Sequence, residues 1–310
     1  MLRKTPIATA GGPDALVGLS SPVLSPSLPE TSIAHRIHAE VGRYRMRLAQ
    51  SAEDRIAACR LRFRVFNIEM GEGLESSYET GLDTDQFDEV CEHLIVEDKQ
   101  ELNPVRRIIG TYRMQTGTTA ARHRGYYSEQ EFNLAPYEPL RPGVLELGRA
   151  SIDREHRTPE VLTLLWRGIA QYATDMGLRY LIGCSSLTSK DPAEGWQLYR
   201  QLEQFRVPPE FETTPTAANA CPIEQQAGDA QPSTCPSESN AGAGGVSAPS
   251  GAATPVKVPK LLKTYLAIGA RIAAPPAWDR EFGTIDFLTL LDLKLLSPAA
   301  RSRFLAPLTQ

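Results

Sequence analysis

The sequence predicts an α/β domain in which a mixed sheet carries helices on both faces. Short apolar runs typical of strands alternate with amphipathic helical segments along residues 44–293. Two of the helical segments open with an N-cap residue followed by proline, at Thr158-Pro159 and Asp191-Pro192. Such pairs mark helix starts, and strands that alternate with helices favour a layered α/β architecture.

The first part of the domain is predicted to run from a strand into a long helix. Residues 44–48 (YRMRL) form the strand, and Ser51 opens the helix with Asp54 three residues later in a capping-box-like position. A long polar, acidic loop follows over 71–88. The next predicted elements are a pair of strands, HLIVED (93–98) and VRRIIGTYRMQ (105–115).

The second part continues the alternation. A short helix is expected within 128–134, before the strand VLELGRASI (144–152). The helix that Thr158 opens should end at Gly177. The remaining predictions are a buried strand RYLIGCSS (179–186), the helix opened by Asp191, the segment LLKTYLAIGARI (261–272) and a last strand TIDFLTLLDL (284–293).

Two low-complexity tracts frame and interrupt this domain. Residues 1–40 are rich in Gly, Pro, Ser and Ala and are expected to be a disordered tail. Residues 207–258 have almost no large apolar side chains in their central part, so they are expected to be an insertion without a core of its own. The prediction is therefore one domain over 41–305, interrupted at 207–258.

Bulk composition excludes several classes of protein. The net charge of −4 argues against a nucleic-acid-binding protein. The five cysteines include no CxxC pair, so neither a zinc site nor a disulfide framework is expected, and no metal is predicted. The N-terminus is a poor signal peptide and no apolar run is long enough to span a membrane, so a cytoplasmic location is expected.

Glu146 and Arg149 are the first candidates for catalysis. They stand three residues apart, so on a regular strand their side chains would point to opposite faces. Gly148 between them permits a β-bulge that brings both to one side. In a partly dehydrated cleft, such a pair could bind an amino acid and deprotonate its amine; the alternative is an ordinary ion pair across the sheet.

An acidic loop and an arginine in an apolar stretch form the second group of candidates. The loop DTDQFD (83–88) has three carboxylates but lacks the spacing of an EF-hand. We expect Asp85 and Asp88 either to attract a cationic amine and anchor the loop to Arg62, or to form a solvated acidic turn. Arg62 lies within LRFRVF, so a buried carboxylate partner is expected for it. Arg113 belongs to the strand before Glu146.

Several segments, in order along the chain, resemble the ornithine N-alpha-acyltransferases of ornithine-lipid biosynthesis. They are RLRFRVF, LDTDQFDEVCEHLIVED, IIGTYRM, LELGRASI, LLWRGIAQYATDMGLRYLIGCSS and VPKLLKTYLAIGARIAAPPAWDREFGTIDFLTLLDL. The resemblance covers 42–206 and 257–305 and leaves out both low-complexity tracts. The chain is more distantly similar to the acyl-homoserine-lactone synthases, which share residues matching Arg62, Phe66, Asp83, Asp85, Asp88, Arg113, Glu146 and Arg149.

The resemblance implies a GNAT-like fold and an acyl donor carried by acyl carrier protein. Unlike ordinary acetyltransferases, the segment DREHRTPEVL (153–162) has no glycine-rich loop for coenzyme A. The helix start at Thr158, with Arg154 and Arg157, suits the single phosphate of a carrier-bound phosphopantetheine. No bound cofactor is expected. The basic residues that could either dock the acidic carrier or only solubilise the surface are Arg106, Arg107, Arg122, Arg124, Lys257, Lys260 and Lys263.

The function that the resemblance implies is transfer of a (3-hydroxy)fatty acyl chain to the α-amine of ornithine, giving lyso-ornithine lipid. Glu146 would be the base and Arg149 would bind the acceptor carboxylate, in a V-shaped cleft between the strands at 144–152 and 179–186. The predicted substrate-binding residues are Asp85, Asp88, Arg62 and Arg113. The alternatives are a synthase of N-acyl amino acid or acyl-homoserine-lactone signals, and a non-catalytic carrier-protein or lipid-binding module.

The lipid product suggests peripheral contact with the inner membrane face. The segment LLKTYLAIGARI (261–272) is amphipathic enough to rest on that surface. It is equally compatible with a helix of the core.

Overall fold

A computed structural model describes residues 37–222 and 255–305 of the chain. The predicted disorder of the N-terminal tail therefore concerns residues that lie almost wholly outside the described part, at 1–36. The same is true of the middle of the predicted insertion, at 223–254.

Nine strands of the described residues form one mixed sheet. Its strand order is β1-β2-β3-β4-β5-β6-β9-β7, and β8 pairs with β9 beside β7. All neighbours are antiparallel except β5 and β6, which are parallel. The strands are β1 (His38–Val41), β2 (Tyr44–Leu48), β3 (Glu92–Asp98), β4 (Ile108–Thr116), β5 (Val144–Ile152), β6 (Tyr180–Leu187), β7 (Arg271–Ile272), β8 (Ala277–Asp279) and β9 (Thr284–Asp292).

Helices fill the connections between these strands. The α-helices are α1 (Ala52–Phe63), α2 (Ser77–Thr80), α3 (Pro104–Arg107), α4 (Gly117–Arg122), α5 (Pro159–Asp175), α6 (Pro192–Gln201), α7 (Lys260–Ile268) and α8 (Pro298–Phe304). A π-helical turn continues α1 over Arg64–Met70. Short 3₁₀ segments lie at Tyr127–Gln130, Ala135–Gly143, Arg154–His156, Glu203–Phe205, Pro209–Phe211 and Leu293–Leu295.

The two long helices cover opposite faces of the sheet. On β3, Leu94 and Val96 pack in the same cluster as α5, whereas Ile95 between them packs with α1. Successive side chains of a strand point to opposite faces, so α1 and α5 lie on different sides. This arrangement confirms the predicted mixed sheet with helices on both faces.

Most predicted elements are present with their predicted caps. Ser51 accepts from the Asp54 N–H, and Thr158 accepts from the Val161 N–H, at the starts of α1 and α5. β2 and β5 have the predicted bounds. The prediction missed β1, β7 and β8, because strands of two to four residues have no clear periodicity.

Both edges of the predicted insertion differ from the prediction. Residues 207–222 pack on the sheet: Val207 and Cys221 are buried, and Thr216 donates its N–H to the carbonyl of Glu131. Val256 and Val258 pack against the cluster around Leu262. Few large side chains suffice there because backbone hydrogen bonds hold the segment. Residues 38–40, predicted to belong to the disordered tail, likewise join the sheet as part of β1.

The helix α7 is part of the core. Leu262, Tyr265, Leu266 and Ile268 are all buried, while Lys260 and Lys263 face solvent. Of the two readings of this segment, the core helix is therefore correct, and α7 offers no apolar face to a membrane. Among the described residues, no helix combines the length and apolar character that crossing a bilayer requires.

Candidate active site

The strands β5 and β6 separate to open a cleft in the middle of the sheet. Their parallel pairing ends at Glu146 and Ile182, although β5 continues to Ile152 and β6 to Leu187. A Cβ at Gly183 would lie 2.3 Å from the carbonyl oxygen of Leu147, so only glycine fits where the two backbones part. This geometry is the predicted V-shaped cleft.

The cleft has a volume of about 1010 Å³ and a largely apolar lining. That volume is at the upper end of the range of small-molecule and cofactor sites. A long acyl chain would find apolar side chains along it, contributed by Leu147, Leu162, Trp166, Leu181, Leu261 and Leu291. The lining also includes polar side chains; we call the part formed by Glu146, Arg149, Asp279 and Asp286 the polar end of the cleft.

A bulge in β5 turns Arg149 into the cleft. The register between β4 and β5 moves from Thr111 opposite Ser151 to Arg113 opposite Gly148, so β5 carries one extra residue. Arg149 itself has φ +51°, a left-handed conformation that side chains other than glycine rarely adopt. Strained backbone of this kind is concentrated at functional sites. The predicted bulge is present, but the unusual conformation belongs to Arg149 and not to Gly148.

Arg149 is held by two aspartates and two aromatic rings. Its Nη2 donates to Asp85 Oδ2 at 3.1 Å, and its Nε lies 3.4 Å from Asp83 Oδ1. The guanidinium lies 4.9 Å from the ring centre of Tyr127 and 4.5 Å from that of Phe282. The rings fix the plane of the guanidinium, and Arg149 is one of the residues that line the cleft.

Glu146 lines the cleft with a buried carboxylate. It is 5% exposed and accepts three hydrogen bonds, from the Tyr127 N–H at 2.8 Å and from the Ser128 N–H and hydroxyl at 2.8 and 2.7 Å. Burial raises the pKa of Glu146 above its ordinary value, and these hydrogen bonds oppose part of the rise. A carboxylate with a raised pKa is better suited to accept a proton near neutral pH.

Behind the cleft, three arginines and three aspartates form an ion-pair network. Arg62 is fully buried and donates to Asp83 at 2.7 Å and to both oxygens of Asp88, at 2.7 and 2.8 Å. Arg113 donates to Asp85 at 2.6 Å and to Asp88 at 3.2 Å. Burial opposes ionisation of Asp88, but Arg62 outweighs it and holds the pKa of that carboxylate well below its usual range.

This network changes the expected roles of several residues. The buried carboxylate partner predicted for Arg62 is present, and so is the anchoring of the loop. However, Arg62, Asp85 and Asp88 do not line the cleft, and both carboxylates are engaged by arginines. The prediction that Asp85 or Asp88 binds an incoming amine is therefore not supported by their position. Arg113 does line the cleft.

Three carboxylates that the sequence did not point to lie together at the cleft: Asp279 and Asp286 line it, and Glu131 lies next to Asp286. Glu131, Asp279 and Asp286 are all at least nine-tenths buried, and we call them the acidic pocket. Burial and the charges of Asp286 and Asp279 raise the pKa of Glu131 well above its ordinary value. Burial, with the charge of Asp279, raises the pKa of Asp286 to about 6.

A cysteine adjoins the acidic pocket. One possible ligand atom from each of Glu131, Cys184 and Asp286 lies within 4.8 Å of the others. This spacing is compatible with a metal ion, whereas the sequence had predicted no metal site. Burial raises the pKa of Cys184 well above its ordinary value, so the thiol is a poor nucleophile. The signal that could have revealed this group is Asp286, a carboxylate inside the apolar strand TIDFLTLLD.

Relatives of known activity match almost the whole chain. L-Ornithine N(alpha)-acyltransferase of Brucella abortus (strain 2308) is 31% identical over 268 residues, which cover 84% of this chain and 88% of that protein. The protein of the same name from Agrobacterium fabrum is 30% identical over 301 residues, with 89% of each chain covered. The chain belongs to the L-ornithine N(alpha)-acyltransferase family. The resemblance found in the sequence is thereby confirmed.

The fold of this acyltransferase family member also matches a domain profile. Residues 61–167 match the family described as an acetyltransferase (GNAT) domain, a range that begins in α1 and ends in α5. This range contains Arg62, Arg113, Glu146 and Arg149. Among solved structures, FeeM, an N-acyl amino acid synthase from uncultured soil microbes, is 11% identical with a TM-score of 0.45, covering 86% of this chain and 97% of that one.

Of the three predicted donor-binding residues of this acyltransferase, two line the cleft and one does not. Arg157 and Thr158 line the cleft at the start of α5. Arg157 donates to both carboxylate oxygens of Glu69, at 2.6 and 2.8 Å, and remains 44% exposed. Arg154 is exposed and does not line the cleft, because the 3₁₀ turn Arg154–His156 directs it elsewhere.

Of the basic residues considered for carrier docking, two lie at the cleft. Lys257 and Lys260 are exposed and line it, and Arg303 joins them from α8. The others do not line it: Arg106, Arg107, Arg122, Arg124 and Lys263.

Proposed function

We propose that this chain transfers a fatty acyl group from the thioester of acyl carrier protein to the α-amine of ornithine. The observation that carries the proposal is the cleft between β5 and β6, where an apolar channel meets Glu146 and Arg149. Family membership supports the choice of ornithine, because the relatives are named for that acceptor. The product would be an N-acylated ornithine.

Glu146 is the proposed base. The α-ammonium of the acceptor must lose a proton before its nitrogen can attack, and Glu146 accepts that proton directly or through a water molecule. The carboxylate is held by Tyr127 and Ser128, so it needs little reorganisation during the step. The nitrogen then forms the amide bond, the C–S bond of the thioester breaks, and the thiol leaves with a proton.

Arg149 is the proposed partner of the acceptor carboxylate. A guanidinium matches a carboxylate in a planar, bidentate contact. Its stacking between Tyr127 and Phe282 sets the plane in which the carboxylate binds. We assign Arg62, Asp85 and Asp88 a positioning role, because their ion pairs hold Arg113 and Arg149 in place.

The donor enters from the end of the cleft formed by Thr158 and Arg157. The proposed contacts for the phosphopantetheine phosphate are the first N–H groups of α5 and the guanidinium of Arg157. The exposed Lys257 and Lys260 at the cleft suit an acidic carrier protein. A cytoplasmic location, where such a carrier and free ornithine are both available, belongs to the same proposal.

The test is an in vitro transfer assay with purified components. The enzyme is incubated with 3-hydroxyacyl carrier protein and a panel of amino acids, and the products are identified by mass. We expect N-acylornithine as the dominant product. Equal acylation of neutral amino acids would replace ornithine with a different acceptor; no product from any amine would contradict the proposal.

A further inference from the structure

The acidic pocket brings three buried carboxyl groups together. Glu131, Asp279 and Asp286 are 3%, 8% and 5% exposed. The charge of Arg149 stabilises the ionised forms of Glu131 and Asp286, but that guanidinium also pairs with Asp85. Glu146 adds a further carboxylate that raises the pKa of Glu131.

One oxygen in this pocket has no partner among the described residues. Asp279 accepts from the N–H groups of Glu281 and Phe282, and Asp286 accepts from the Thr284 hydroxyl at 3.1 Å. In contrast, Glu131 Oε2 is buried, and no donor of residues 37–222 or 255–305 reaches it. A buried carboxylate oxygen without a donor is strongly unfavourable, so a ligand that brings a donor to this oxygen would be stabilised.

The missing donor can come from the cleft. A carboxylate oxygen of Glu131 lies within 4.8 Å of Cys184 Sγ and of an Asp286 oxygen, and both of those residues line the cleft. The pocket is therefore in reach of a ligand whose carboxylate is bound by Arg149. A cation with several N–H donors would satisfy Glu131 and favour the ionised forms of these carboxyl groups.

We propose that the acidic pocket of Glu131, Asp279 and Asp286 binds the side-chain ammonium of the acceptor and so selects a diamino acid over neutral amino acids. The proposal rests on the proposed function, since it concerns the same acceptor. The acceptor would then lie with its carboxylate on Arg149, its α-amine toward Glu146 and its second ammonium in the acidic pocket.

The first part of the predicted insertion (207–258) contacts this pocket. Thr216 donates its N–H to the Glu131 carbonyl at 2.8 Å, and Trp278, next to Asp279, donates its N–H to the Asn219 carbonyl at 2.6 Å. Segment 213–221 thus connects Glu131 to β8. This contact gives residues 213–221 a role in acceptor selection.

The test compares ornithine with norvaline, which has the same carbon chain without the second amine. Binding of each amino acid is measured by calorimetry, and acyl transfer to each is measured with 3-hydroxyacyl carrier protein. Glu131→Gln and Asp286→Asn are expected to weaken binding of ornithine, and transfer to it, about 10- to 100-fold. Binding of norvaline, which is weak in the wild type, should change less than threefold.

The matched control is Asp292→Asn, a carboxylate-to-amide change on the same strand. Asp292 pairs with Arg179 at 2.6 Å and does not line the cleft. It should leave the ratio of ornithine to norvaline unchanged. Thermal unfolding of each variant identifies any that is not folded, and Asp279→Asn then replaces it.

The outcomes separate the two proposals. If ornithine binds in a pocket-dependent way but no acyl group is transferred, the proposed function fails and the ammonium site stands. If transfer to ornithine occurs and the variants affect norvaline equally, the ammonium site is wrong. Stoichiometric zinc in the purified wild type that is lost in Glu131→Gln would also overturn it, because a metal would then occupy Glu131, Cys184 and Asp286.

Discussion

At the scale of single residues, the buried arginines differ in what they contact. Arg62 uses its whole guanidinium on Asp83 and Asp88 and is fully buried. Arg149 makes longer contacts, at 3.1 Å to Asp85 and 3.4 Å to Asp83, and lines the cleft. The sequence marks both as unusual, but only the contacts distinguish the fully engaged Arg62 from the arginine at the cleft.

Replacing Arg62 should destabilise the protein strongly. Arg62→Met removes the shortest ion pairs of Asp83 and Asp88 and leaves only the longer contacts to Arg149 and Arg113, at 3.4 and 3.2 Å. Breaking such a buried pair lowers the free energy of unfolding by about 3–5 kcal/mol. Chemical denaturation measures this value. The control is Lys99→Met, which breaks an exposed pair with Glu40 and should leave stability unchanged; similar stability of the two variants would contradict a structural role for Arg62.

The preference for ornithine should depend on pH through the acidic pocket. Asp286 has a pKa of about 6, raised by burial and by Asp279, so it loses its charge as pH falls through that value. Glu131 shifts in the same direction, whereas Arg149 stays charged. The ratio of kcat/KM for ornithine to that for norvaline should therefore fall several-fold from pH 7 to pH 5. A ratio that is constant or rises over this range would contradict the assignment.

The sequence predicted the site only in part at this scale. Glu146 and Arg149 were predicted because they stand close together on one recognisable strand. The acidic pocket was missed because its members come from three segments that are distant along the chain, and their proximity depends on tertiary packing. Conversely, the sequence suggested Asp85 and Asp88 as ligands for an amine. The arginines that form ion pairs with them are distant along the chain, so the sequence did not reveal those pairs.

At the scale of elements, the parting of β5 and β6 creates the site. The pairing stops after Glu146, and the bulge at Arg149 bends the rest of β5 away. The caps and periodicity in the sequence located both strands well. They could not show that the strands diverge, since divergence depends on close approach of the backbones at Gly183.

Gly183→Ala should reduce the rate of acyl transfer by changing the shape of the cleft. The added Cβ would meet the Leu147 carbonyl oxygen at 2.3 Å and push β5 and β6 apart at the base of the cleft. We expect kcat/KM for acyl transfer to fall at least tenfold, since small displacements of reacting groups reduce rates strongly.

The matched control for this change is Gly143→Ala, just before β5. A Cβ there has no contact closer than 4.0 Å. Kinetics of both variants, with unfolding midpoints, test the idea. Wild-type kcat/KM in Gly183→Ala would show that the cleft tolerates the shift.

At the scale of the whole molecule, charge is distributed unevenly on a mildly acidic protein. The net charge is −4, yet exposed Lys257 and Lys260 lie at the cleft on one side of it. An acidic carrier protein would find positive charge at this part of the surface. The polar end of the cleft has the opposite sign, which suits a cationic acceptor.

Reversing this basic surface should weaken use of the carrier-bound donor. The double variant Lys257→Glu/Lys260→Glu is expected to raise KM for acyl carrier protein about tenfold, and added salt should reduce the difference. KM for a free acyl-pantetheine thioester should stay within twofold. The exposed Lys294, away from the cleft, provides the control Lys294→Glu; equal effects of both changes would refute a localised docking surface.

The central claim is that the Glu146 carboxylate takes the proton from the acceptor amine inside this cleft. The most direct measurement is single-turnover transfer from 3-hydroxyacyl carrier protein to ornithine by wild type and by a folded Glu146→Gln variant. We predict a rate lower by about 10²- to 10⁴-fold, with ornithine still bound. A Glu146→Gln enzyme that transfers the acyl group at the wild-type rate would contradict it.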